Sequence, residues 1–593
     1  MKQQILCSLF GLILHLTMLR GNAQVSQGGL PLSLQESIDG ISIPVSYYLA
    51  PDWEAQLAKE HSLPAETTFF RSLVGGLIVA TDFGFPQSGS FSSAKDGSMV
   101  WQGIIHIDNA PAIGLLFDQF HLPKGVKLYL ANGSKKQVAG AFDSQNNDIS
   151  GKFAIDVVQG SDVWIELNIA PGVVPDDIFL HIDRAMVMHR GIEHLAQYSG
   201  YQPIDQMDDD LNGQSSVCTI NAICPQGAGY AANRKATVQT VQPVGNLVEL
   251  CSGTLVNNTA NTLESCKPLL LTAGHCEGTG SMNSDDFAQV MVRFNFERST
   301  CDYSGATNGV TMTGVYIRAR SVFNGSFPIN DFMVYELRQA IPASYDVVLS
   351  GWNKSDTVQQ SVVLPEKFIG FHHPAGDNKK LSTSQQISGS GGFWNVNFEE
   401  GYASGGSSGS GLFDGDGLLI GIASFAGGPV QDSCRFNALN EEVWTTNGIL
   451  YQKLSYSWEY MPQETAANRR LKPWLDPLNT GVTQLGALSG CISTSTGAPS
   501  NIEKGNDEFG AALSVFPNPS IDGLISLRYN LKKVGQLQIS VIDLNGKIVF
   551  KHTIINALFG VQSLNMQSLA NGMYMVKIAG TTGFTTKKLM IHK

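Results

Sequence analysis

The sequence predicts an all-β protein built from several units, and three observations carry that prediction. Its apolar runs are short and closed by Gly, Asn, Ser or Pro, as in "PLLLTAGHC", "DFMVYEL" and "LLIGIASF". At 593 residues the chain exceeds one ordinary domain and suits roughly three or four units. Apart from Cys7 its cysteines are confined to a middle stretch, Cys218 to Cys491, so a stapled unit lies between two cysteine-free flanks.

The first flank opens with "MKQQILCSLFGLILHLTMLRGNAQ". A positive Lys2, an apolar stretch from Ile5 to Leu19 and a small-residue exit at Gly21-Asn22-Ala23 read as a signal peptide, residues 1–23. His15 and Arg20 leave the run short of the ~20 residues needed to span a bilayer. No other run is long enough, so the mature chain is expected to have no membrane span. Residues 24–212 alternate in short runs such as "VKLYLANGSKK" and "DVWIELNIAP", which predicts a β-sandwich. They end in an acidic joint, "DQMDDDLNGQSS", suited to cleavage.

The stapled unit spans 213–491 and reads as β-rich with many turns, with no long amphipathic helical pattern before "YQKLSYSWEYM". A polar linker follows at 492–510. The last unit, 511–593, carries alternating strands such as "QLQISVIDLNGKIVF", with Asn545-Gly546 as a hairpin turn, and reads as a small sandwich. The net charge of −12 provides no basic footprint, which argues against nucleic acid and anionic membrane as partners. Eight cysteines in an exported chain read as up to four disulfides; zinc is the rival use, but there is no CxxC pair and no clustered His/Cys spacing.

The chemistry concentrates in the stapled unit. A serine hydroxyl becomes a nucleophile when a neighbouring base takes its proton and a third group orients that base. The oxyanion that forms needs preorganised N–H donors, which glycine-rich turns can aim. "LLLTAGHC" puts His275 just past an apolar strand, "PINDFMVYEL" puts Asp331 at the head of another, and "GGSSGSGL" supplies serines among glycines. Singly, each is more often a structural or turn residue; it is their ordered combination in one secreted β unit that points to acyl transfer. Spacing alone leaves open which of Ser407, Ser408 and Ser410 is the nucleophile. The adjacent pair His372 and His373 could bind a metal, but neighbours on a strand face opposite ways, which favours a structural reading.

These words resemble the chymotrypsin-like serine peptidases, and more narrowly the bacterial lysyl endopeptidases. The similar segments are "CTINAICPQG", "SGTLVNNTAN", "LTAGHC", "LSGW", "GFHHPAGDNKKLS" and "KPWLDPLNTG", covering about 213–488. The resemblance implies a double β-barrel, His275 as base, Asp331 as its orienting partner and Ser408 as nucleophile. It also implies the amides of Gly406 and Ser408 as oxyanion donors, with no metal or organic cofactor. It suggests disulfides Cys218–Cys434, Cys224–Cys301 and Cys251–Cys276, and leaves Cys266 and Cys491 to pair with each other.

Lysine-specific members place an acidic residue at the base of the pocket for the residue before the scissile bond. That position falls on Ile449 here, the rim histidine position falls on Ala426, and no Trp occurs between Leu381 and Phe393. With Ser424 these residues are the candidate pocket. An apolar or small residue is therefore expected, unless Glu441 or Glu442 fills the site, since a lysine ammonium without a counter-charge is disfavoured there.

Residues 24–212 resemble the pro-regions of such peptidases in type IX-secreting bacteria, through "IGLLFDQFHLPKGVKLYLANG" and "AGAF". The implied role is to assist folding and block the cleft until a cut near 212–213; the alternative is a permanent accessory domain. The tail resembles the type A sorting domain of the type IX secretion system through "VFPNPSIDG", "VIDLNGKIV", "LANGMYMVKI" and "TKKLMI". It implies Sec export, passage through the type IX machinery and a place outside the cell or on its surface, with proteins or peptides as substrates. The rival classes are a catalytically dead adhesion or binding protein on the same scaffold, and a narrow esterase or exopeptidase.

Overall fold

The computed structural model describes residues 26–38, 42–62, 72–192, 215–262, 265–277, 282–302, 307–321, 330–358, 367–438, 440–459, 466–489, 513–516, 520, 522–543, 548–580 and 583–593. The signal segment, the acidic joint through residue 214, Cys491, the linker and the Asn545–Gly546 turn lie outside them. The chain divides into two compact units, Met1–Thr494 and Ser495–Lys593. No helix among the described residues is long and apolar enough to cross a membrane.

The first unit opens with strands β1 (Val45–Tyr48), β2 (Leu73–Gly84), β3 (Ser90–Ser93), β4 (Met99–Ile107) and β5 (Ala112–His121). They continue with β6 (Val126–Asn132), β7 (Val138–Phe142), β8 (Phe153–Gln159), β9 (Asp162–Ile169) and β10 (Phe179–Met188). One sheet runs β1-β4-β9-β6-β7, with β3 on β4; the other contains β2-β10-β5-β8. Alternation sends Leu115, Phe117 and Ile182 from one sheet and Trp101, Leu128 and Ile165 from the other into one apolar core. This is the expected sandwich, joined by a short helix, Trp53–Ser62, that strand patterning did not indicate.

The stapled part supplies β11 (Ile220–Asn221), β12 (Thr237–Val244), β13 (Leu247–Val256), β14 (Leu269–Thr272), β15 (Met291–Arg298), β16 (Thr307–Thr313), β17 (Val315–Arg320) and β18 (Met333–Leu337). After two short strands, β19 (Val348–Leu349) and β20 (Trp352–Asn353), come β21 (Phe368–His372), β22 (Lys380–Ser384), β23 (Ile387–Ser390), β24 (Phe393–Asn397), β25 (Gly411–Phe413), β26 (Leu419–Ala426) and β27 (Gly448–Lys453). Strands β12 to β18 curl around Leu270, Phe294 and Tyr335, and β21 to β27 around Phe398, Leu412 and Tyr451. A third cluster, with Leu271, Trp352 and Phe371, joins the two halves. The two-barrel layout implied by the resemblance is present. The sandwich is not a separate body, because β2 pairs with β13 and one sheet runs through both parts.

Cys218–Cys434, Cys224–Cys301 and Cys251–Cys276 are disulfides. Cys266 is also disulfide-bonded, while Cys491, its expected partner, lies outside the described residues. The second unit is a five-stranded antiparallel sheet with its own core of Leu527, Ile539, Val576 and Leu589.

The sandwich core sets an expectation for stability. Phe117 is fully buried, so Phe117→Ala should cost about 3–5 kcal/mol in urea unfolding. Ile149 is fully exposed, and Ile149→Ala should stay within about 0.5 kcal/mol.

Candidate active site

The site lies at the seam between the two curled halves. Strand β14 is apolar through Leu269–Leu271 and ends at Thr272, after which a tight turn, Gly274–Glu277, carries His275. Cys276 in that turn is bonded to Cys251 on β13, which fixes where the turn can lie. Asp331 sits just ahead of β18, whose pairing with β14 brings the carboxylate beneath the imidazole. Asp331 Oδ1 accepts the His275 backbone N–H at 3.0 Å, and Oδ2 lies 2.8 Å from Nδ1. The other ring nitrogen, Nε2, is 2.8 Å from Ser408 Oγ. His275 and Asp331 are buried, whereas Ser408 is only partly so.

The turn carrying Ser408 is held from several sides. Ser252 donates its backbone N–H to Ser408 O at 2.8 Å and its hydroxyl to Gly406 O at 2.8 Å. The Ala375 amide donates to Gly405 O at 2.7 Å. Gly406 has φ +91°, and a Cβ there would lie 2.6 Å from His373 O. Gly409 has φ +80°, with Thr272 Oγ1 where a side chain would begin. Both positions therefore demand glycine. Among the described residues no protein group accepts from the Gly406 or Ser408 amide. The pair can donate to an oxygen on a carbon bonded to Ser408 Oγ.

The neighbouring serines face elsewhere. Ser407 is buried with its hydroxyl 2.9 Å from His372 Nδ1, and His372 Nε2 is 3.0 Å from Ser382 Oγ. Ser410 is fully buried. His373 turns the other way, with its Nδ1 3.1 Å from Asp377 O and its ring stacked on Phe296. The histidine pair thus buttresses the serine turn from beneath, in keeping with the structural reading.

Around Asp331 the structure adds one residue that spacing did not single out, Gln452, and a second role for Ser424. Gln452 accepts the Asp331 amide at 3.1 Å, and Ser424 donates its hydroxyl to Asp331 Oδ2. Burial works to raise the Asp331 carboxyl, but the neighbouring His275 charge and the hydrogen bonds from His275 and Ser424 outweigh it and hold it below the ordinary range. Ser424, expected in the pocket, therefore turns its hydroxyl to the carboxylate. Ala426 on β26 is directly paired with buried Ile449 on β27. Glu441 bonds to Asn437 at 2.9 Å, and the Glu442 side chain is 71% exposed, near Arg435. Glu441 is thus tied to Asn437, and Glu442 is open to solvent.

Residues 212–442 match the family model described as "Lysyl endopeptidase, C-terminal domain", and residues 514–592 match "Secretion system C-terminal sorting domain". Two solved structures are similar at low scores. The catalytically active tobacco etch virus protease complexed with product is 12% identical, covering 50% of this chain and 93% of its own, with a TM-score of 0.22. The secreted serine protease VesC from Vibrio cholerae is 12% identical, covering 60% and 69%, with a TM-score of 0.21. Residues 212–442 thus have the sequence pattern of a lysyl endopeptidase C-terminal domain, and residues 514–592 that of a secretion system sorting domain. Its place is extracellular or at the cell surface.

The buried histidines make stability acid-sensitive. Burial, with the nearby Lys380 charge, pushes His372 down to about 3; burial, with Arg190, does the same to His189, also to about 3. Both stay neutral in the fold but take up a proton in the unfolded chain below about pH 6.5. The unfolded state then binds more protons, so stability falls from about pH 6.5 toward about 3, at up to about 1.4 kcal/mol per pH unit per histidine. Urea unfolding at several pH values checks this, and His372→Gln should flatten the slope.

Proposed function

We propose that this chain is a secreted serine endopeptidase, made as a precursor, that cleaves peptide bonds through Ser408, His275 and Asp331 and an acyl-enzyme. One observation carries the reading: the His275 ring bridges the Ser408 hydroxyl and the Asp331 carboxylate, each at 2.8 Å. His275 takes the Ser408 proton through Nε2 as Oγ attacks the scissile carbonyl carbon. The C–O bond forms, the carbonyl oxygen becomes an oxyanion, and the Gly406 and Ser408 amides stabilise it. His275 then gives its proton to the leaving amine as the C–N bond breaks. Asp331 holds the Nδ1–H tautomer and stabilises the imidazolium, with Ser424 and Gln452 fixing its own position. Water, activated by the same imidazole, attacks the ester carbonyl and releases the acid and free Ser408.

Specificity is read from the Ala426–Ile449 pair. A buried isoleucine where a lysine ammonium would need a counter-charge favours an apolar or small residue before the scissile bond.

Three variants test the mechanism. A fluorophosphonate should label the wild type and Ser407→Ala but not Ser408→Ala, whose kcat should fall about 10⁶-fold. Asp331→Asn should retain the fold and lose about 10⁴-fold in kcat. Profiling on mixed peptides should give cuts after leucyl or alanyl residues; cuts confined to lysyl bonds would refute the pocket reading.

A further inference from the structure

Strand β2 of the N-terminal sandwich runs antiparallel to the start of β13, with Leu73 opposite Leu250, Val74 opposite Glu249, and Gly76 opposite Val248. Strand β14 takes the same edge of β13 only at Thr254–Val256, so β2 fills the edge that Leu247–Leu250 would otherwise leave open. The next two residues of β13 are Cys251 and Ser252, which fix the His275 turn and the Ser408 turn. The N-terminal end of β2 therefore arrives at the oxyanion turn itself. A Cβ on Gly406 would stand 3.3 Å from Leu73 Cδ2, and one on Gly405 would stand 3.4 Å from Leu73 Cδ1. Ser72 Oγ anchors this end on the Glu249 carboxylate at 2.5 Å.

The position of β2 relative to Ser408 has a chemical meaning. Strands β26 and β27, with Ala426 and Ile449, receive the residue before the scissile bond, so β13 borders the side where the leaving segment must pass. An extended leaving segment would pair with the open edge at Leu247–Leu250. That edge is taken.

The sandwich is also held by groups unsuited to exposure. Arg293 of β15 is fully buried, and its guanidinium forks onto Asp156 of β8 at 2.8 and 2.6 Å. It also donates to Gly191 O at 2.5 Å. Gln289 donates to Phe117 O and Phe153 O at 2.9 and 3.1 Å, and Arg338 pairs with Asp148 at 2.6 Å. Leu116, Val157 and Met186 from the sandwich share one apolar cluster with Val241, Leu250 and Met291. Departure of the sandwich would strip a buried guanidinium of its carboxylate and bare an apolar patch, both strongly unfavourable.

We propose that residues 72–192 stay docked after the chain is cut between the sandwich and Ser215, and that β2 forms the leaving-group wall of the cleft. The cut, docked enzyme then turns over small acyl esters but excludes polypeptides that continue past the scissile bond, until β2 is displaced. This rests on the peptidase reading above.

The test uses the full chain with a recognition sequence for an added site-specific protease inserted at residues 205–212. After cutting, the two fragments should co-elute in gel filtration, label with a fluorophosphonate and hydrolyse a small acyl ester while sparing a denatured protein substrate. Leu73→Asp, whose carboxylate cannot stay packed against the oxyanion turn and so frees β2, should raise the ratio of polypeptide to ester turnover about tenfold or more. Asp156→Ala should let the fragments separate; if it fails to fold, Leu73→Asp still decides the point. Spontaneous separation of wild-type fragments, or an equal ratio of polypeptide to ester turnover in the docked wild type and Leu73→Asp, would overturn the proposal. Absent labelling in every form would instead sink the peptidase reading, and co-elution is read independently of activity.

Discussion

Two consecutive residues, Cys251 and Ser252, set the geometry on which the site depends. The Cys251–Cys276 bridge fixes the turn that carries His275, and Ser252 grips the turn that carries Ser408 by both its amide and its hydroxyl. Ser408 and His275 come from opposite halves of the domain, so small shifts between the halves would separate them. Tying both turns to adjacent positions on β13 removes most of that freedom. The alternative, letting each turn find its place by packing alone, would leave the 2.8 Å contact between Nε2 and Oγ to chance.

The same region is unusually polar for a core, and many of its polar groups are paired in layers. His372 supports Ser407, the Ser252 hydroxyl accepts the His373 backbone N–H, and Asp377 binds Lys380 at 3.3 Å and Ser215. Burial tends to raise the Asp377 carboxyl, but the Lys380 charge and the Ser215 bond hold it below the ordinary range. Ser215 lies at the end of the acidic joint, so the start of the stapled part is tied into the layer beneath the serine turn. Such networks are costly when half satisfied, which links rigidity at Ser408 to the acid sensitivity of the fold.

Much of this was legible in the sequence because the chemistry is local. The His275 word ends an apolar run and the Asp331 word heads one, and glycines flank Ser407-Ser408 where positive φ is required. The three disulfides implied by family likeness are present. Long-range pairing was not legible. Ser72 and Glu249, or Asp156 and Arg293, are more than a hundred residues apart, and nothing in either local pattern announces the other. Ser424 was placed by pocket reasoning, yet its hydroxyl serves Asp331, because side-chain direction on β26 depends on the register shift between Ala423 and Phe425. The sandwich was foreseen, but its merger with the peptidase sheet through β2 was not.

The central claim is that one hydroxyl, that of Ser408, becomes acylated because His275 and Asp331 activate it. The most direct measurement is to quench the enzyme in acid during turnover of a slow ester and map the trapped acyl group by peptide mass spectrometry. One adduct is expected, on Ser408, and it should be absent from His275→Ala. An acyl group on Ser407 or Ser410, or turnover of the ester with no trapped adduct, would contradict it.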